Sequence, residues 1–554
     1  MSLKALSPLR SIAPRKSYAT QNHQAFPYPA PVKGLDFMMP LNQMDPQTAI
    51  KLSNVLVRNY GLEFRSGWKR WSTLIPGEVR TLMPYNPPRG LGVLATQKLF
   101  AACSNGTIYD VTAQTNEVTV PPVSVVIPGQ LEPGEFSWTN YATPTNNYLC
   151  VCSAGGGYWT YDATGGWVDQ TGNITGPAGA AAISFDFVMS WKNRLMFIKD
   201  LTADVYILGV NAIIGAATNF DFGPLLIHGG DLKAMASWTM DGGDGVDDKL
   251  VLVGSEGDLL IYEGTDPTTA ATFRIVGRWF IGPPPSGRRF LSRYGGDLAM
   301  ITQYGIIYLS KLLQAKGEIA QQEAQESYRI NPVLAKAVRD TRSQQYWELR
   351  TLPFLECLFI NAPDSGDLEF RDRQFVMDIN SRGWSTFDSV QMLTCEVFTG
   401  ALYFGTLDGK VGRAFDGTAV TDGVLSNSTP GNDIAITVQT AFVAPGDPVR
   451  LKAMKQMQLT FQGFDKPVVT SQLNMDWSGL STPGSPSFLG AVVALWDQAI
   501  WDQGLWQGGA VNTFKSWVGV EGLGNYVSLV FTARGLPRTY FTNWLLVTES
   551  GGLM

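Results

Sequence analysis

A glycine turn returns about every 50 residues at one phase of a strand pattern, and that spacing restricts the possible folds more than any other property of the sequence. The turns are Ser104-Asn105-Gly106 before Thr107-Ile108-Tyr109, Gly155-Gly156-Gly157 before Tyr158-Trp159-Thr160-Tyr161, and Ser255-Glu256-Gly257 before Leu259-Leu260-Ile261-Tyr262. Gln303-Tyr304-Gly305 before Ile306-Ile307-Tyr308 and Leu407-Asp408-Gly409 before Val411 continue the series. Two phases carry a weaker signal, near Ala203-Asp204 before Val205-Tyr206-Ile207 and near Ser365-Gly366 before Leu368-Glu369-Phe370. Hairpins need positive φ at such turns, which is why Gly, Asn and Asp recur there. Small sheets at fixed spacing can bury both faces by stacking around an axis. The pattern predicts an all-β chain with a β-propeller-like platform of about seven small antiparallel sheets, with six to eight compatible with the period. An ordinary β-sandwich with coincidental turns is the competing arrangement.

Composition agrees with short strands and many turns: 58 Gly, 32 Pro and 11% aromatic residues in 554. Only 16% of residues are charged and the net charge is −6, so no dense basic surface is available to grip nucleic acid by sequence. Sixteen tryptophans in so sparsely charged a chain leave apolar surface that an oligomer or partner would cover. The cysteines are Cys103, Cys150, Cys152, Cys357 and Cys395, an odd number lying mostly in apolar strand patterns, which reads as reduced and buried. Cys150 and Cys152 share a strand face, but no second pair completes a zinc site. No apolar run reaches the roughly 18 residues of a membrane span.

The first residues are basic and serine-rich, with Lys4, Arg10, Arg15 and Lys16 and no acid before Asp36. They read as an arm ordering against a neighbour, with an organelle transit peptide as the other reading. Asp45-Pro46 ahead of Ile50, Leu52 and Val55 predicts a short capped helix. Residues 62–71 then alternate as a strand broken at Gly67. A polar helix is expected at 312–328, as an insertion in the repeat array. From about residue 430, alternating strands at 434–443 and 452–462 announce a C-terminal β domain. It contains a five-residue unit placing Trp496, Trp501 and Trp506 in a series, suited to a subunit contact or to sugar stacking.

Only His23 and His228 occur, which removes most triad and histidine-ligated metal schemes. No phosphate-binding glycine loop or nucleophile elbow is present. Two carboxylates about 5 to 10 Å apart would still serve a glycosidase. Asp241, Asp244, Asp247 and Asp248 form the densest acidic cluster, read as a solvated turn with Ca²⁺ binding as the lesser option.

Met38-Met39-Pro40-Leu41-Asn42-Gln43-Met44-Asp45-Pro46-Gln47-Thr48-Ala49, then Leu52-Ser53-Asn54 and Leu62-Glu63-Phe64-Arg65-Ser66-Gly67-Trp68, resemble the N-terminal region of tail nozzle proteins of short-tailed bacteriophages, also called tail tubular protein B or phage stabilisation protein. The segment 405–412 and the Trp-Asp repeat are similar to later parts of such proteins. The resemblance implies a non-enzymatic virion component without cofactor or metal, assembled in the host bacterial cytoplasm as a hexameric ring at the distal end of the tail. It implies an adaptor ring above, tail fibres or spikes docked outside, and genomic double-stranded DNA passing non-specifically through the lumen, with no membrane insertion by this chain.

On that reading the chain divides into an extended basic arm (1–37), a helix and strand lead-in (38–72), the platform (73–425) and the C-terminal β domain (426–554). Candidate gate loops hold Asp241, Asp244, Asp247 and Asp248, and Pro284, Arg288 and Arg289. Candidate interface residues are Lys4, Arg10, Arg15, Lys16, Trp496, Trp501 and Trp506. The alternative is a propeller lectin or glycoside hydrolase with the same tryptophans as sugar platforms and axial acids as catalysts.

Overall fold

The computed structural model describes residues 23–88, 97–115, 123–125, 134–177, 184–240, 247–267, 269, 272–314, 327–363, 374–415, 417, 419–424, 431–477, 484–486, 488, 512–534 and 538–550. Among the described residues regular structure is mostly antiparallel sheet, with a few short helical pieces. Seven small sheets follow one another from Val79 to Ala414. The first four are four-stranded and start with Val79–Tyr85, Ser137–Ala142, Phe185–Trp191 and Leu232–Met240. The fifth is a three-stranded sheet starting with Leu291–Tyr294, the sixth starts with Glu348–Leu352, and the seventh with Thr394–Phe398.

The recurring glycines connect the second and third strands of their sheets. Gly106, Gly157, Gly257, Gly305 and Gly409 all have positive φ, from +71° at Gly409 to +113° at Gly305. In the third sheet the corresponding connection carries Leu201, at φ +53°, so the turn exists there without the glycine that would have announced it.

Apolar side chains between neighbouring sheets close the array into a ring. Phe100 and Ile108 meet Leu149 and Trp159 between the first and second sheets, and Cys150, Cys152 and Tyr158 meet Phe197 between the second and third. Met196 meets Leu250 and Leu260 next. Val251, Met300, Ile307, Leu349 and Leu358 share a core across the fourth, fifth and sixth sheets. Phe359 and Val376 meet Leu402 and Phe404, and Tyr403 and Val411 return to Leu82 and Leu99 of the first sheet. Each sheet hides both faces this way, which one small sheet cannot do alone. The seventh sheet is completed from the other end of the chain: Trp68–Ser72 pairs antiparallel with Val411–Ala414, Trp68 opposite Ala414 and Ser72 opposite Val411.

The remainder is a two-layer sandwich. One layer contains Ala49–Ser53, Ala435–Thr440, Val527–Arg534 and Val469–Met475. The other contains Val55–Arg58, Gly61–Phe64, Tyr540–Ser550, Lys452–Gly463 and Asn512–Gly524, with His23–Pro29 also paired to Tyr540–Ser550. Phe461 lies between them, 5.6 Å from Phe531 and 5.3 Å from Phe541 by ring centroids. The first layer runs on into the sixth propeller sheet through a parallel bridge of Ser53 with Thr386, so platform and sandwich share a continuous eight-stranded sheet.

Two local expectations are corrected. The segment after Asp45 is a strand, Ala49–Ser53, and not a helix. Asp45 accepts from the Gln47 N–H at 2.8 Å and its carbonyl accepts from Thr48 Oγ1, bonds that serve a turn as well as they would a helix cap. A register shift between Ala49 and Lys51 interrupts the strand's alternation and mimics helical spacing. Of the expected helix at 312–328, the described part is Leu309–Gln314, and 315–326 lie outside the described residues. A second helix, Asn331–Asp340, follows with Leu334, Ala335 and Val338 buried and a proline in its first turn.

Candidate functional site

The loop from Gly282 to Phe290 leads from the fourth sheet into the fifth through the middle of the ring. Its three consecutive prolines fix φ and remove backbone donors, which makes a stiff segment that can be buried with few N–H groups to satisfy. Pro284 is buried. The two arginines that end the loop reach six of the seven sheets between them. Arg288 pairs with Asp186 of the third sheet and donates to the Lys233 carbonyl of the fourth at 2.7 Å. Arg289 pairs with Glu348 of the sixth, and donates to Thr394 Oγ1 of the seventh at 2.8 Å and to Thr81 Oγ1 of the first at 2.7 Å. It also reaches the Phe136 carbonyl at the start of the second, at 3.5 Å. A guanidinium's planar fan of five donors suits a point where strands converge.

Glu348 is 1% exposed, and it accepts from Thr394 Oγ1 at 2.9 Å and the Cys395 N–H at 2.6 Å. Burial opposes its ionisation, but the Arg289 and Arg350 guanidiniums with that N–H outweigh burial and hold the carboxyl below its ordinary range. Its neighbour Glu396 pairs with Arg350 at 2.8 Å, and there burial wins and pushes the carboxyl up.

The arginine pair divides the axis in two. On one side lies a chamber of about 450 Å³ whose walls include Arg80, Glu135, Ser153, Asp186, Asp200 and Tyr346. On the other is a cavity of about 340 Å³ reaching Trp138, Met235, Arg293 and Arg350. Both are bounded by Phe136, Ser137, Arg288 and Arg289, which together form the partition.

The residues of the sequence motif meet elsewhere, where ring and sandwich join. Arg65, 1% exposed, donates from Nε to Asn54 Oδ1 at 2.7 Å and grips Asp422 with both terminal nitrogens, at 2.8 and 2.7 Å. Asn54, at φ +62°, donates to the Ala435 carbonyl of the sandwich at 2.7 Å and accepts from the Asp388 N–H at 2.9 Å. Gly67 passes so close to Thr421 that a Cβ would lie 2.0 Å from its carbonyl oxygen. The motif is therefore a buried fastening between the closing strand, the sixth sheet and the sandwich.

The other sequence candidates are placed apart from the axis or lie outside the described residues. Asp248, at the start of Asp247–Gly254, accepts from Thr239 Oγ1 at 2.6 Å on a strand pair. Asp241 and Asp244, Lys4, Arg10, Arg15 and Lys16, and Trp496, Trp501 and Trp506 lie outside the described residues. The sequence marks Arg288 and Arg289 as candidate gate-loop residues; within this subunit both are engaged along the ring axis. Asp186, Glu348 and Ser153 were missed, because only the ring brings such distant positions together.

No protein-family model matches the chain, and no curated protein matches it. Among solved structures it is similar to the computationally designed Ika8 protein, with 12% identity, 66% of this chain and 96% of that one covered, and a TM-score of 0.32. It is also similar to BBS1N crystallised in complex with ARL6DN, with 11% identity, coverage of 64% and 99%, and a TM-score of 0.38.

Proposed function

We propose that this chain is a non-enzymatic virion protein, the subunit of a hexameric tail nozzle in a short-tailed bacteriophage. In this reading it closes the distal tail channel, retains the genome and passes DNA on ejection, while an adaptor ring and fibres or spikes dock on it. The observation that carries the reading is the fastening at Asn54, Arg65 and Gly67. The residues that give the sequence its resemblance to nozzle proteins are those that tie ring to sandwich, as a load-carrying wall unit requires. The filled axis supports it too, since DNA would run between copies of such a subunit and not through one. A hydrolase at the axis would need two acids free to act, whereas Glu135 and Asp186 are paired with Arg80 and Arg288, which leaves the Asp200 carboxylate without a second. Electron microscopy of the purified protein, alone and with adaptor, tests the proposal. A six-fold ring with an open central channel is expected; a persistent monomer at micromolar concentration in both samples would overturn it.

A further inference from the structure

The axial chamber on the Asp200 side holds polar groups that the fold does not use. Its cations are committed: Arg80 to Glu78 and Glu135, Lys233 to Asp231, Arg288 to Asp186 and Arg289 to Glu348. By contrast, the Ser153 and Ser286 hydroxyls, the Asp200 carboxylate and the Tyr346 hydroxyl line the chamber without a hydrogen bond from their side chains to any described residue. Ser153 is the most enclosed of them, at 4% exposure. Each of these groups opens onto the chamber, so a bound molecule can complete bonds that the described residues leave unmade.

The chemistry of the unused set selects the ligand. Three hydroxyls both donate and accept, and one carboxylate accepts from two donors at once. An anionic ligand would meet the Asp200 carboxylate with every nearby cation already paired. A neutral molecule carrying adjacent hydroxyls would satisfy all four groups. Burial pushes the Tyr346 hydroxyl above its ordinary range, so it stays protonated and able to donate at neutral pH. The volume, about 450 Å³, falls in the range of small-molecule sites. We propose that this chamber is a binding site for a neutral saccharide unit, with Asp200 accepting from a pair of adjacent sugar hydroxyls and Ser153 and Tyr346 fixing its orientation. The site binds without hydrolysing, and it is independent of whether the protein assembles into a ring.

The test is saturation-transfer NMR and calorimetry of the full chain with glucose, galactose, rhamnose and N-acetylglucosamine, with glucuronate as the anionic control. At least one neutral sugar should bind, glucuronate should bind more weakly, and Ser153→Ala and Asp200→Asn should each weaken binding roughly tenfold, the loss of one good hydrogen bond to a charged or buried group. Should Asp200→Asn fail to fold, Ser286→Ala supplies the second variant with the same expectation. Absence of binding by all four neutral sugars, glucuronate binding as tightly as they do, or affinity unchanged in these variants would each overturn the proposal.

Discussion

Replacing Arg289 by methionine removes the positive half of a buried pair and leaves Glu348, its carboxylate 1% exposed, with Arg350 as its remaining nearby cation. Breaking a buried ion pair from one side costs about 3 to 5 kcal/mol, because the remaining charge has lost its compensation. The donors from Thr394 and Cys395 remain, which places the expectation near the lower end, about 3 kcal/mol. Urea unfolding followed by tryptophan fluorescence reads the loss directly. Combining Arg289→Met with Glu348→Gln removes the stranded charge, keeps an oxygen to accept from the Cys395 N–H and turns an amide N–H towards Thr394 Oγ1, which can accept once Arg289 is gone, so it should restore about 2 kcal/mol relative to the single variant. The pH dependence supplies a further check. In the native chain the Glu348 carboxyl is held low, so its stabilisation is present above the unfolded value of about 4.3 and is lost as pH falls through the lower folded value. In Arg289→Met burial is opposed by Arg350 and the Cys395 N–H only, so the folded value moves up and less stability is lost as pH falls. The gap between the two proteins should therefore narrow from pH 7 towards pH 4. A single variant that loses less than about 1 kcal/mol, or a double variant no better than the single, would refute the idea that the pair holds the ring together.

Two other outcomes follow from the buried groups. Arg65→Lys should lower stability by about 2 to 4 kcal/mol, since an ammonium cannot hold Asp422 with two parallel bonds and reach Asn54 as well; an unchanged thermal melt would contradict the fastening. All five cysteines are buried, and burial pushes the thiols up, Cys103 and Cys150 to about 12, so a thiol reagent such as DTNB should titrate them only after denaturation. Rapid reaction of several thiols in the native protein would show that these sheets open far more readily than their packing implies.

The ring was legible because its signal is local. A hairpin that needs positive φ announces itself by glycine, and the turns at Gly106, Gly157, Gly257, Gly305 and Gly409 sit at the same strand junction. Where the turn was made by Leu201 the signal faded although the geometry persisted. The strand after Asp45 was misread for the opposite reason: turn and helix start share capping chemistry, and the shift at Ala49 disturbed the period that separates strand from helix. The axis was half visible. Proline and glycine marked 282–287 as a stiff loop, but nothing in a linear pattern could place Arg289 beside Glu348, Thr394 and Thr81 at once. Ser153 was hidden for the same reason, an ordinary serine at a strand end until the ring sets it in a chamber wall.

The strand Trp68–Ser72, which completes the seventh sheet, leaves the ribosome before any part of the ring it belongs to. Its partner Val411–Ala414 follows only after the six other sheets, a wait of roughly 20 to 70 s at ordinary rates of synthesis. During that interval the nascent ring has two open ends, each with backbone donors and acceptors available to a stranger. Crowded polysomes making this chain are therefore where exchanged seventh sheets between neighbouring copies would arise, and the speed of translation across 73–410 becomes a determinant of how much correctly closed protein a cell obtains.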